Sequence, residues 1–130
     1  MTASSMEQTE EVLINPSAAD RPFRFTRNER ISQPQDFKRV MKLGRRLSSK
    51  NFVLFTLKNN NNFHRLGLVV KKEVGLATFR IRMKRYLREF FRLHKRQIKG
   101  SFDIVILVKR GCSIHRYFEA EEELKRTLIP

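Results

Sequence analysis

Thr78-Phe79-Arg80-Ile81-Arg82-Met83-Lys84-Arg85-Tyr86-Leu87-Arg88-Glu89-Phe90-Phe91-Arg92 reads as one helix with two unlike sides. At ~100° per residue, Phe79, Met83, Tyr86, Leu87, Phe90 and Leu93 gather in one broad sector, while Lys84, Arg85, Arg88, Arg92, Lys95, Arg96 and Lys99 gather opposite. The apolar sector needs a sheet to cover it, and the chain offers a strand on either side. Leu66-Gly67-Leu68-Val69-Val70 precedes the helix and Phe102-Asp103-Ile104-Val105-Ile106-Leu107-Val108 follows it, which together make a β-α-β unit. Gly75 breaks the first strand, Thr78 reads as the N-cap, and the helix should run to about Lys99 before Gly100. The nearly unbroken apolar run of the second strand predicts a central position covered on both faces. Ile81 is the exception, because the same rotation places it within the cationic sector.

Further out, Phe52-Val53-Leu54-Phe55-Thr56-Leu57 is aromatic and β-branched, and Asn59 to Asn62 reads as a turn leading into Leu66. These two runs look like a hairpin. Between Ile31 and Gly44, Ser32 or Gln33 can cap a short helix, Pro34 suits its first turn, Phe37, Val40 and Met41 share a face, and Gly44 can end it. Ile114 to Leu128 reads as an acidic helix, with Phe118, Leu124 and Leu128 available for packing and Glu119, Glu121, Glu122 and Glu123 outward. The order of helix, two strands, helix, strand, helix predicts an α/β fold: a single-domain α-β sandwich with helices packed on a small mixed sheet. Residues 1–21, rich in Ser, Thr, Glu and Ala, read as a flexible acidic tail, and 22–130 as the domain.

The net charge of +15 is unevenly spread. Residues 1–20 hold Glu7, Glu10, Glu11 and Asp20 and no Lys or Arg, so the rest of the chain carries 28 basic against 9 acidic groups. Self-repulsion of that size opposes compactness and is most simply explained by a polyanionic partner. Cys112 is the only cysteine, so an intramolecular disulfide is excluded and no cysteine pair exists for zinc. The acidic start is unlike a secretory signal, and no segment approaches the ~18 apolar residues of a membrane span. A soluble cytoplasmic protein without a membrane partner is expected.

Catalysis by protein groups is poorly supported. After position 20, four acidic residues crowd the last helix, and Glu29, Asp36, Glu73, Glu89 and Asp103 are scattered, whereas a two-metal nuclease needs converging carboxylates. His64, His94 and His115 lie on different elements without ligand-spaced companions, as surface or packing histidines do. No metal ligands and no phosphate-cradling glycine loop are evident. The cationic segment is different: Lys71, Lys72, Arg80, Arg82, Lys84, Arg85, Arg88, Arg92, Lys95, Arg96 and Lys99 stand against only Glu73 and Glu89. Ordinary solvated helix faces mix signs; a face this one-sided suits phosphates, which guanidinium groups grip in pairs and many cations bind in a salt-sensitive way.

Gly67-Leu68-Val69-Val70-Lys71-Lys72, Gly75, Ala77, Arg80-x-Arg82-x-Lys84-Arg85-x-x-Arg88-Glu89-x-Phe91-Arg92 and Phe102-Asp103-Ile104-Val105 together resemble the protein component of bacterial ribonuclease P. Arg30-Ile31, Asp36-Phe37, Gly44 and Phe52-Val53-Leu54 extend the resemblance over roughly residues 26 to 111. It implies a small sandwich whose β-α-β crossover is left-handed, against the usual rule. It also implies a ribonuclease P RNA partner that, with Mg2+ acting through the RNA, removes the 5′ leader of precursor tRNA, with no stable protein partner. On this resemblance Lys71, Lys72, Arg80, Arg82, Lys84, Arg85, Arg88 and Arg92 face RNA. Phe37, Met41 and Phe55, with Lys84 and Arg88, line a cleft for the single-stranded leader, where base stacking on aromatic rings supplies affinity. Phe37 and Met41 also lie one turn apart, so a plain core role is open to either.

Two positions depart from the family pattern. Ile81 stands where Asn separates the two arginines, and isoleucine can neither donate to a phosphate nor orient a hydrated metal; Leu76 stands where a polar residue is common. The main alternative function is a structural RNA-binding protein of ribosomal type. A basic membrane-surface protein would need the helix's apolar face uncovered, and a helix-turn-helix DNA binder is disfavoured because strands separate the helices.

Overall fold

A computed structural model of the chain describes residues 25–129; the expected tail, residues 1–21, lies outside the described residues. Three helices pack on one four-stranded mixed sheet: α1 Pro34–Leu43, β1 Arg45–Ser48, β2 Phe52–Lys58, β3 Arg65–Val69, α2 Ala77–His94, β4 Phe102–Val108 and α3 Tyr117–Leu128. The strand order is β1-β2-β4-β3. β4 runs antiparallel to β2 and parallel to β3, with Phe55 opposite Val105 and Gly67 opposite Val105.

The hairpin expected from the second and third strands does not form, because β4 lies between them. β4 is apolar on both faces, with Ile104, Val105 and Ile106 at 0–1 % exposure, and only a middle position hides both. The connection from β2 to β3 must then step over β4, about 10 Å sideways. It is anchored there by the Asn59 N–H donating to the Ser101 carbonyl at 3.0 Å and by Asn59 Nδ2 donating to Asp103 Oδ1 at 2.7 Å.

Alternation along the strands divides the core. Phe52, Leu54, Leu66, Ile104, Ile106 and Val108 point toward α2 and α3, where Met83, Leu87, Phe90, Phe91 and Leu124 complete the larger cluster. Val105 points the other way, toward α1, and joins Ile31 and Val40, with Phe37, Met41, Phe55, Leu57 and Val69 half-buried around them. Gly67 lets α1 approach: a Cβ there would stand 2.6 Å from a ring carbon of Phe37.

Several boundaries differ from expectation. Leu76, not Thr78, precedes the first turn of α2, which ends at His94 and continues as a 3-10 turn over Lys95–Gln97. β1, a short polar edge strand beside β2, has no counterpart in the sequence reading. α3 starts at Tyr117 rather than Ile114, and Phe118 is half exposed at 51 % while Glu123 is buried. Glu123 turns inward because the loop before β2 supplies donors: Asn51 N–H at 2.6 Å, Asn51 Nδ2 at 2.8 Å and the Ser49 hydroxyl. A carboxylate so hydrogen-bonded can be buried where a bare one could not.

Candidate nucleic-acid interface

The helical period sorts α2 as follows. Met83, Leu87, Phe90 and Phe91 are buried, whereas Ile81, Arg85 and Arg88, spaced by four and three residues, face solvent in one row. Arg80, Arg82 and Lys84 flank the row half-buried, and Lys71 and Lys72 are exposed just upstream. Arg80 Nε donates to the Gly75 carbonyl at 3.1 Å, which fixes that side chain at the start of the helix. Arg85 lies 5.9 Å from the centroid of the Tyr86 ring. Arg92 is the member engaged by a carboxylate, forming a two-point pair with Glu89 at 3.0 and 2.8 Å that holds the Glu89 carboxyl below its usual range.

The first turn of α2 contains no acidic residue, and its N-cap Leu76 supplies no side-chain acceptor. The positive end of the helix dipole is therefore left without a carboxylate to offset it and adds to the cations. A helix built for its own stability would place Asp or Glu there; this one carries the half-buried Arg80 and Arg82 at its start instead, an arrangement suited to anions.

Beside this helix, Phe25, Arg30, Ile31, Phe37, Leu66, Leu68, Lys84 and Arg88 enclose a depression of about 150 Å3. Three of the five residues expected in a leader cleft, Phe37, Lys84 and Arg88, thus share one concavity. Met41 and Phe55 do not line it; they pack with Phe37 in the smaller cluster under α1. Sequence reasoning missed Phe25 and gave Arg30 no role in the cleft. The Arg30 guanidinium lies 4.7 Å above the Phe25 ring, which meets Phe91 edge-on at 5.3 Å. An aromatic and an arginine flanking Ile31 and Phe37 were the available signal, but their separation in sequence gives no helical or strand period to connect them.

Two ion networks set the walls of this depression. Glu29 accepts from the Thr26 N–H at 2.8 Å and from Lys95 Nζ at 2.5 Å, pinning the segment that carries Phe25 to the end of α2. Burial would push the Glu29 carboxyl up, but Lys95 and Thr26 outweigh it and hold it below the usual value. Asp103, fully buried in β4, receives two hydrogen bonds from Arg65 at 2.9 and 2.6 Å. Arg39 of α1 adds a 3.4 Å contact to Asp103, and Arg65 reaches Asp36 of α1 at 3.8 Å. Burial again opposes ionisation of Asp103, and the Arg65 and Asn59 hydrogen bonds overcome it, leaving its carboxyl depressed. The consequence is a fixed α1, and so a fixed Phe37.

Two of the histidines, His64 and His94, serve structure. His64 is buried, with Nε2 donating to the Ile98 carbonyl at 2.8 Å and Nδ1 accepting the Phe102 N–H at 3.0 Å. His94 bonds Glu121 at 2.7 Å and Gln97 at 2.8 Å. Among the described residues no three His, Cys, Asp or Glu side chains converge as metal ligands, and no helix is long and apolar enough to cross a membrane.

A basic α/β sandwich carrying an outward cationic helix beside an aromatic depression belongs to the class of small domains built to meet a polyanion. The sequence pattern of the Ribonuclease P family matches residues 25–129, and the chain belongs to that family. The Ribonuclease P protein component of Thermotoga maritima is 42 % identical over 89 residues, which are 68 % of this chain and 76 % of that protein. That of Alkaliphilus metalliredigens is 35 % identical over 97 residues, 75 % of this chain and 87 % of the relative. Among solved structures, the RNase P protein from Thermotoga maritima aligns with a TM-score of 0.69 at 35 % identity, covering 75 % of this chain and 93 % of that one. The Staphylococcus aureus RNase P protein aligns at 0.71 with 31 % identity, covering 77 % and 92 %.

Proposed function

We propose that this chain is the protein subunit of ribonuclease P, binding the ribonuclease P RNA and the 5′ leader of precursor tRNA to support endonucleolytic removal of the leader in the cytoplasm. Family membership supports the endoribonuclease complex and the RNA partner. The observation that carries the leader assignment is the placement of Lys84 and Arg88 of the cationic helix on the same depression as Phe25 and Phe37. Cations there would hold consecutive phosphates while the rings accept bases. Catalysis is assigned to the RNA and its Mg2+, as the resemblance to the ribonuclease P protein family implies. The chain's own contribution is then to bind, orient and neutralise.

The test is precursor-tRNA cleavage at low magnesium by the cognate ribonuclease P RNA, with and without the full chain. Release of the leader that depends on the protein, with no cleavage by protein alone, is expected. Tight RNA binding without stimulation would overturn the reading in favour of a structural RNA-binding protein of ribosomal type.

A further inference from the structure

A hollow of about 430 Å3 lies at the β1 edge of the sheet, whereas the depression beside α2 is built on β3, the strand at the opposite edge. Its origin is a gap between helices. Strand register sets Arg45 beside Thr56 and Thr56 beside Ile104, so these three residues share the sheet face that α2 and α3 cover. At this end the cover stops short: α2 has turned through Lys95–Gln97 into Ile98 and Lys99, and α3 ends at Leu128. Ile98 and Ile104 are buried at the bottom of the gap, and Leu47, Phe102, Leu128 and Ile129 line it half-buried. Protein interiors are close-packed. An open, mostly apolar hollow of this size with a few polar groups is the usual form of a ligand site.

The charges and hydrogen-bonding groups of the lining define what fits. Arg45 and Lys99 are its charged members, both exposed, and no carboxylate stands among them. Elsewhere carboxylates engage the cations, as Asp103 does Arg65 and Glu89 does Arg92; among the described residues Arg45 and Lys99 have no such partner. The negative end of the α3 dipole is offset by Lys125 and Arg126 in its last turn. Gln97 pairs with His94 through one end of its amide at 2.8 Å, leaving the other end for a ligand. The Thr127 hydroxyl donates to the Glu123 carbonyl at 2.9 Å, which leaves its oxygen able to accept. Two cations, an apolar bed and separate polar groups match a nucleoside phosphate: an anion, a flat base and an edge that hydrogen-bonds. An acyl chain with an acidic head would satisfy the cations but leave the amide and hydroxyls unpaired.

We propose that this hollow binds one unpaired nucleotide of an RNA strand, with the base against Ile98, Ile104 and Phe102 and the phosphate held by Arg45 and Lys99. The inference rests on RNA being the partner, as proposed above, and adds a site outside the cationic helix. β1 and β3 are three strand spacings apart, about 14 Å, so the hollow and the depression are separate sites within reach of one folded RNA. A single row of phosphate contacts along α2 leaves the domain free to pivot about that row. A nucleotide held at the far edge of the sheet stops the pivot and fixes how the protein sits on its RNA.

Nuclear magnetic resonance of the full chain labelled at its isoleucine methyl groups tests this, because Ile98, Ile104 and Ile129 report on the hollow and Ile31 on the depression. Titration with a short adenosine oligomer at low salt should give saturable shifts at Ile98, Ile104 and Ile129 as well as at Ile31. In the variant Arg45→Gln, Lys99→Gln the Kd read at Ile98 and Ile129 should rise about three- to tenfold for each charge-assisted hydrogen bond lost, while that read at Ile31 holds. An undiminished response of the hollow in this variant would overturn the proposal. So would silence at Ile98, Ile104 and Ile129 when Ile31 is saturated, and the RNA face on α2 would then stand alone; if neither set moves, both readings fall. Adenosine 5′-monophosphate and decanoate separate the remaining ligands. A mononucleotide that binds the hollow as tightly as the oligomer does would replace the RNA strand with a free nucleotide. Shifts with decanoate and none with the oligomer would make the hollow an acyl site, and the proposal would be wrong.

Discussion

Ile81 is 64 % exposed in a row shared with Arg85 and Arg88. Among the described residues nothing covers most of it, so that apolar surface faces water unless a partner meets it. A sugar or base face could do so; a phosphate could not, because isoleucine has no donor. Ile81→Asn should leave stability within about 0.5 kcal/mol of the parent, as exposed substitutions do. It should also change the magnesium dependence of reconstituted precursor-tRNA cleavage, by adding a group able to orient a phosphate or a hydrated metal. Identical rates at every magnesium concentration would show that Ile81 is neutral. The sequence disclosed this residue through the helical period, since 3.6 residues per turn puts it among the cations whatever the partner, and again through its departure from the family pattern.

At the level of elements, the contact between α1 and β3 rests on Gly67. A methyl added there would meet Phe37 at 2.6 Å and Ile31 at 3.2 Å, so Gly67→Ala forces the ring or the helix outward. Overpacking of this kind costs about 1–3 kcal/mol, and it should weaken leader binding because Phe37 is a wall of the depression. A lowered denaturant midpoint that partly recovers in Gly67→Ala, Phe37→Leu is expected; an unchanged midpoint for the single variant would mean α1 sits more loosely than described. The elements most legible in the sequence were those with a strong period or composition: α2 from its two faces, β4 from its continuous apolar run, α1 from Pro34 and Gly44. Less legible was everything decided across the sheet. Arg45–Ser48 is too short and polar to declare itself a strand, and pairing of β2 with β4 in preference to β3 depends on burying both faces of β4, a requirement local reading does not weigh. Glu123 failed for a similar reason, its donors lying 72 to 74 residues away in sequence. In the candidate site, the cations were legible because phosphate binding needs their number, while the joining of Phe25 and Arg30 to Phe37 required the tertiary fold.

At the scale of the whole molecule, the Asp103 network couples folding to pH. Its carboxyl is depressed in the folded state, so the unfolded chain takes up the proton first as pH falls. The stabilisation is complete above the unfolded aspartate value of about 3.9 and is lost as pH drops through the lower folded value. Asp103→Asn should cost about 2–3 kcal/mol at neutral pH, a reduced figure for a broken buried pair because Arg65 keeps partial access to water. The variant's stability should also fall less steeply in acid, a comparison that urea melts between pH 3 and pH 7 would make. Parallel curves for parent and variant would assign the acid sensitivity elsewhere.

The place of β4 in the sheet also governs when the protein can exist at all. The strand that joins β2 to β3 is the last of the four to be synthesised, so no complete sheet can assemble until residues 102–108 have left the ribosome. Until then α2 has its arginines but no floor beneath Leu87 and Phe90, and its neighbours in space are ribosomal RNA. Nascent chains emerge at about 5–20 residues per second, so this interval lasts only seconds. Slower elongation after α2 would lengthen the time a bare cationic segment spends beside the most abundant RNA in the cell.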